Sequence, residues 1–421
     1  MKHDPKLSRR GLLKGFAAAS GAAAGARILG PMVPEALAAG EPSHFVHIYF
    51  NGGLNALFAG CANILRGKFG VTDTNMTRIG TSDLYTDAST FGTFPKFALD
   101  HFGAIGMRHG NALHTTPQNQ NSGGERAILR DGGNCYLNQL AYYMGGDSAF
   151  KAVYFGDRAP AYQNQPAFQG VPLQRVSDLA DAIKALGSDT QDPNAPNRAI
   201  AGGTLESSAE MSKRQIDMNP GQLTPLTESY QSAVAALRKP PPKPVTFAEI
   251  NTAYGLANRT TVGTYASMLA GAEIMIRAAN TNVINICDFG LASWDFHQTS
   301  GGLSQNGTLS RQRFLGTGPF GDSRIAPIKT FLERMLNLPD RNVVVCISGE
   351  LVRLPNGDHG DGTVAVLMGK NIKQGMSFPV NAQSRFAPTT PPVKAFWAAV
   401  ASAVKVPGTP FGANPHAVVT G

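Results

Sequence analysis

Cysteine is scarce in this chain. Cys61, Cys135, Cys287 and Cys346 are the only four in 421 residues, and no two form a Cys-x-x-Cys pair. That spacing excludes zinc ribbons, cysteine-ligated iron–sulfur clusters and thioredoxin-type exchange. Cys287 and Cys346 lie inside apolar runs, which assigns them to core packing, whereas an oxidising compartment would permit a Cys61–Cys135 bridge. Long hydrophobic runs are missing too: the apolar stretch over residues 15–26 is shorter than the roughly 20 residues a membrane span needs. Charge is sparse, at 16% of residues with a formal net charge of +8. The lysines and arginines form no stripe interleaved with aromatics, which excludes a nucleic-acid partner. Glycine is abundant, yet Gly301-Gly302 and the glycines of 316–321 have no phosphate-loop lysine and open no helix after a strand. Neither stretch is therefore a nucleotide-binding loop. There is no internal repeat.

What is present begins with an address. Ser8-Arg9-Arg10-Gly11-Leu12-Leu13-Lys14 precedes an Ala/Gly-rich segment and then Ala36-Leu37-Ala38. Paired arginines, a mildly hydrophobic stretch and a small-residue cleavage site predict a twin-arginine export signal over residues 1–38, cut after Ala38. Removing it takes away six basic and two acidic residues and halves the net charge from +8 to +4. The expected partner during export is the twin-arginine translocase, the destination is the periplasm or the exterior, and no stable membrane span remains after cleavage. Because that route carries folded proteins, it is compatible with a site loaded before export.

The remainder, 39–421, is long enough for one large domain. His44-Phe-Val-His-Ile-Tyr-Phe50 is an apolar run stopped by Asn51-Gly52-Gly53, the pattern of a buried strand ending in a tight turn. Residues 282–288, 342–348 and 363–368 repeat the design, and helical periodicity fills 261–280, 325–338 and 394–404. Alternation of helices with continuous β-branched strands predicts a three-layer α/β/α sandwich on a mostly parallel sheet. His44 and His47 fall on opposite faces of the first strand and read as core histidines, as Trp397 reads as core. Residues 187–244 are polar and proline-rich, ending in Lys239-Pro-Pro-Pro-Lys-Pro244, and predict an insertion or cap.

Ligands in open α/β sheets collect beyond the carboxyl ends of strands. Asn55 follows the first strand. Asp295 and His297 follow the second, two residues apart and so able to face one ion from an extended backbone. Glu350, Asp358 and His359 follow the third. Carboxylate and imidazole ligands suit zinc, manganese or iron better than copper. A polar stretch holding His114, Thr116 and Ser122 follows a further strand, with His114 a candidate ligand or acid/base and Thr116 or Ser122 candidate nucleophiles.

The order Gly52-Gly53-Leu54-Asn55, Trp294-Asp295-Phe296-His297, Gly349-Glu350-Leu351-Val352-Arg353-Leu354-Pro355, then Gly357-Asp358-His359 resembles the DUF1501 proteins, a group often exported by the twin-arginine route and similar to the alkaline phosphatase and sulfatase superfamily. The resemblance spans about 44–400. It implies an alkaline-phosphatase-like fold, a divalent metal (zinc, manganese or calcium) held at the strand ends, and hydrolysis of small phosphate or sulfate esters. Asn55 stands where the family has Asp, Ala56 and Gly360 replace a glycine and an aromatic, Leu351-Val352 precede Arg353 where the family has Phe-Gly, and Gly123 follows Ser122 where the family has histidine. Those departures keep a second expectation open: a catalytically degenerate periplasmic binding or assembly protein, with a protein partner, on the same scaffold.

Overall fold

The computed structural model describes residues 41–55, 75–114, 123–146, 150–156, 167–185, 245–288, 294–296, 302–381 and 383–420, together with residues 58, 61–62, 148 and 214. The export signal, nearly all of the 187–244 insertion, Thr116, Ser122 and His297 lie outside the described residues. The main sheet belongs to the compact unit formed by Ala38–Thr190 and Pro242–Gly421.

That sheet has eight strands: β1 (Ser43–Phe50), β2 (Phe102–Arg108), β3 (Ala152–Phe155), β4 (Leu173–Arg175), β5 (Val283–Asp288), β6 (Asn342–Gly349), β7 (Gly362–Met368) and β8 (Gly375–Ser377), in the order β8-β2-β7-β6-β1-β5-β3-β4. β1 is central and parallel to both neighbours, with Phe45 opposite Val283 and Val344. Only β7 runs against the rest. The sequence placed 363–368 among parallel strands. Its reversal follows from the connection: residues 350–361 form no helix that could carry the chain back across the sheet, and instead turn so that Arg353 bridges His359 in antiparallel fashion.

Alternation along the strands fills two cores. Val46, Ile48, Phe50, Val343, Val345 and Ile347 face one side, with the buried residues of α4 (Tyr265–Arg277) and α6 (Ile325–Met335). Phe45, Val344, Cys346, Ala365 and Leu367 face the other, with α2 (Tyr136–Met144) and α7 (Val393–Ala403). Helices thus cover both faces of a mostly parallel sheet, the layered sandwich that the runs of β-branched residues predict. Further helices are α1 (Gly124–Leu129) and α5 (Gly302–Leu315), which carry residues of the site, and α3 (Phe247–Tyr254). α4 starts where Thr264 accepts from the Ser267 N–H and Ser267 reaches back to the Thr264 N–H, a reciprocal cap.

His44, His47 and Trp397 are core residues. His47 is fully buried, with Nε2 2.8 Å from the Ser348 hydroxyl and Nδ1 3.1 Å from the Asn285 amide. The Trp397 indole N–H donates to the Ile128 carbonyl at 2.8 Å. Cys135 is a buried free thiol, so the bridge to Cys61 is not made. Among the described residues, no helix is long and apolar enough to cross a membrane.

Candidate metal centre

The carboxyl ends of β1, β5 and β6 lie side by side, and the turns that follow β1 and β6 pack together. Beyond β1 the chain turns through Gly52 and Gly53, with φ of 109° and 95°, which favours glycine. Glycine is also required by space. A Cβ on Gly53 would stand 2.9 Å from Nη2 of Arg353, and one on Gly349 would stand 2.5 Å from the Leu54 backbone nitrogen. The Gly-Gly turn and the Gly349-Glu350-x-x-Arg353 segment are therefore two halves of one packed unit. The Gly52 N–H donates to Glu350 Oε1 at 3.0 Å, while the Arg353 guanidinium donates to the Gly52 carbonyl.

Within this unit His114, Asp295 and His359 each offer a ligand atom, and those atoms lie within 4.8 Å of one another. His114 Nε2 is 3.3 Å from Asp295 Oδ2, and His359 Nε2 is 3.8 Å from Asp295 Oδ1. Donors bound at about 2.0–2.1 Å to a tetrahedral metal lie about 3.3 Å apart, so the His114–Asp295 edge has the span of a zinc-like site. The opposite ring nitrogens are engaged as metal-binding histidines require. His359 Nδ1 is 2.8 Å from the Ala112 carbonyl oxygen, so it carries the proton and leaves Nε2 as the ligand atom. His114 Nδ1 donates to Glu350 Oε1.

Glu350 is fully buried and is fixed by further donors, the Gly52 N–H and, at 3.2 Å, the Glu125 N–H in the first turn of α1. Burial works against a charged His114, but the side chains of Asp295 and Glu350 outweigh it and push its pKa up to about 9. In the metal-free protein His114 is accordingly an imidazolium between two carboxylates, and a cation would replace its Nε2 proton.

Asp295 is held from behind. Its neighbour Trp294 is fully buried against Phe50 and Phe314, and the indole N–H donates at 2.9 Å to Asp288, the last residue of β5. Arg324 grips the same carboxylate through Nε at 2.9 Å and Nη2 at 3.1 Å. Arg353 Nη2 donates to Asp295 Oδ1 at 2.9 Å.

The candidate residues divide accordingly. His114, Asp295 and His359 converge, and Glu350 stands behind His114 rather than in the group of three. Asp358 is exposed, its Oδ1 accepting from the His359 N–H at 2.8 Å. Asp358 is not among the residues whose ligand atoms converge. Asn55 is buried, its amide donating to Asn306 of α5 at 2.9 Å. Asp288, Arg324 and the contacts of Arg353 escaped the residue reading, although an aspartate closing a buried strand was a signal for the first.

No family model matches this sequence, and no curated protein matches it. Among solved structures it is similar to the crystal structure of a candidate sulfatase from Bacteroides thetaiotaomicron, at 10% identity over 88% of this chain and 72% of that one, with a TM-score of 0.33.

Proposed function

We propose that this protein is an exported, divalent-metal-dependent hydrolase of phosphate or sulfate esters. The observation that carries the reading is the convergence of His114, Asp295 and His359 at the strand ends, with Glu350 and the Ala112 carbonyl orienting the two imidazoles. The ester chemistry is supported by the resemblance of the motif order to the DUF1501 proteins. A bound cation would supply charge stabilisation to the oxygens of the transferred group. Asp295 and His359 hold their positions through Trp294, Arg353 and Ala112, while Glu350 keeps His114 in the tautomer that directs Nε2 at the ligand. Thr116 or Ser122 is the proposed nucleophile, in the chain that follows His114.

The test is metal analysis of the exported protein together with turnover of aryl phosphates and sulfates in added zinc, manganese or calcium. We expect bound metal, and loss of both metal and turnover in Asp295→Ala. A folded, metal-free protein indistinguishable from its Asp295→Ala variant refutes the reading. Replacing Arg9 and Arg10 by lysine should leave the chain in the cytoplasm.

One observation favours a second reading, a non-catalytic binding or assembly protein on this scaffold: the neutral Asn55 amide is bonded to Asn306 where a charged ligand would stand. A silent ester panel, with a partner co-purifying, would select it.

A further inference from the structure

Arg353 is fully buried, and among the described residues only one of its three nitrogens is engaged. Nη2 serves both the Gly52 carbonyl and Asp295, while Nε and Nη1 have no hydrogen-bond partner among those residues. On the same turn, Asn51 is 1% exposed and neither atom of its amide has a partner among the described residues. A buried donor left unpaired is costly, and a charged one more so. Both side chains belong to the packed unit where β1 ends: Arg353 lies against Gly52 and Gly53 and donates to Asp295 of the cluster, and Asn51 directly precedes the two glycines.

We infer that Arg353 and Asn51 form a binding subsite for a tetrahedral oxyanion, the sulfate or phosphate group of the ligand. Nε and Nη1 lie on either side of the engaged Nη2, so each presents a separate charged donor to an oxygen of such an anion, and out of water each bond is strong. The Asn51 amide adds a donor and, through Oδ1, an acceptor for a protonated oxygen or the hydroxyl of an alcohol. Asp295 occupies the Nη2 edge and orients the guanidinium, leaving the other nitrogens for the ligand. The cluster reaches solvent at Asp295 and His359, whose side chains are 15% and 12% exposed, and this is the side from which an ester enters. The inference deepens the proposed function by naming what holds the anionic group, and rests on it for the ester. Binding of the free anion rests on Arg353 and Asn51 alone.

The experiment is calorimetric titration of the full exported chain with inorganic phosphate and, separately, inorganic sulfate, before and after chelation, with metal content measured on every sample. The wild type should bind at least one of the anions, the tighter one naming the ester class. Arg353→Lys keeps the charge but loses the open Nε and Nη1 donors, and should weaken binding at least tenfold in the chelated samples, where metal content is equal. Asn51→Leu should weaken binding and raise the thermal midpoint of the anion-free protein, because an apolar side chain of similar size removes two unpaired polar atoms. If Arg353→Lys does not fold, Asn51→Leu and anomalous diffraction from wild-type crystals soaked in selenate decide, with a peak expected within hydrogen-bonding distance of Arg353 Nε or Nη1.

Equal affinities in wild type and both variants, no binding of either anion by the wild type, or selenate located away from Arg353 overturns the inference. Arg353-dependent anion binding by a protein that takes up no metal supports the inference while removing the metal reading. Metal loading with anion binding indifferent to Arg353 does the reverse.

Discussion

Glu350→Gln separates the support of the cluster from the cluster itself. The change preserves volume and removes one negative charge. Oε1 of Glu350 receives the Gly52 N–H at 3.0 Å and the His114 Nδ1–H, and Oε2 receives the Glu125 N–H at 3.2 Å. Glutamine has one acceptor oxygen. Placed at the Oε1 position, that oxygen leaves the amide NH2 facing the Glu125 N–H, donor against donor. The variant loses one charge-assisted hydrogen bond and strands a buried donor, each worth about 1–3 kcal/mol, so the fold should lose about 2–6 kcal/mol. Glu350 is fully buried, and solvent does not relieve the mismatch. Losing the carboxylate behind His114 should also cost the metal about 10–100-fold in affinity, as removal of a supporting partner does elsewhere. Urea unfolding of chelated protein reads the first effect, and competition against a chromophoric chelator reads the second. A variant that unfolds like the wild type and binds metal equally would show that Glu350 neither carries the turn nor orients His114.

The same geometry fixes two pH dependences of opposite sign. His114 is raised to about 9 from an unfolded value near 6.5, so in metal-free protein its contribution to stability is fully present below pH 6.5 and is lost as pH rises through 9. Metal must displace that proton, so apparent affinity should rise up to about tenfold per pH unit from 7 to 9, with proton release visible as buffer-dependent heat in calorimetry. Affinity flat across this range would refute the assignment of His114 as a ligand.

The buried histidines act the other way. Burial lowers His47 to about 3 and His416 to about 4, and lowers His44 to about 4 against the pull of the Thr281 carbonyl. Their neutral forms stabilise the fold above pH 6.5, and that stability is lost as pH falls from 6.5 toward the folded values, at up to about 1.4 kcal/mol per unit for each. Acid titration should therefore show a loss near 4 kcal/mol per unit around pH 5. His47→Gln should flatten that slope by about a third, and an unchanged slope would contradict it.

The residues that make the sheet announced themselves because parallel strands covered on both faces must be largely apolar, and 44–50, 283–288 and 342–348 are mostly so and buried throughout. The direction of 362–368 did not show, since a buried strand reads alike either way and its reversal depends on how the preceding loop folds. The site was legible as strand ends and motif order but not as contacts. His114 and Glu350 are 236 positions apart, and nothing in either local sequence says that one will hold the other.

The glycines were the strongest unexploited signal. Gly53 and Gly349 leave no room for a side chain because Arg353 and Leu54 lie against them, so each marks a close approach between segments remote in sequence. Asp358-His359 shows a complementary limit: the adjacent pair reads alike in the sequence, while in the fold His359 joins His114 and Asp295 and Asp358 is exposed, accepting from the His359 N–H. His297 lies outside the described residues, and its spacing of two from Asp295 makes it the sequence's remaining candidate ligand. His297 is therefore the residue on which a fourth ligand depends: His297→Ala should lower metal affinity while leaving His114, Asp295 and His359 in place, and unaltered affinity would limit the centre to those three.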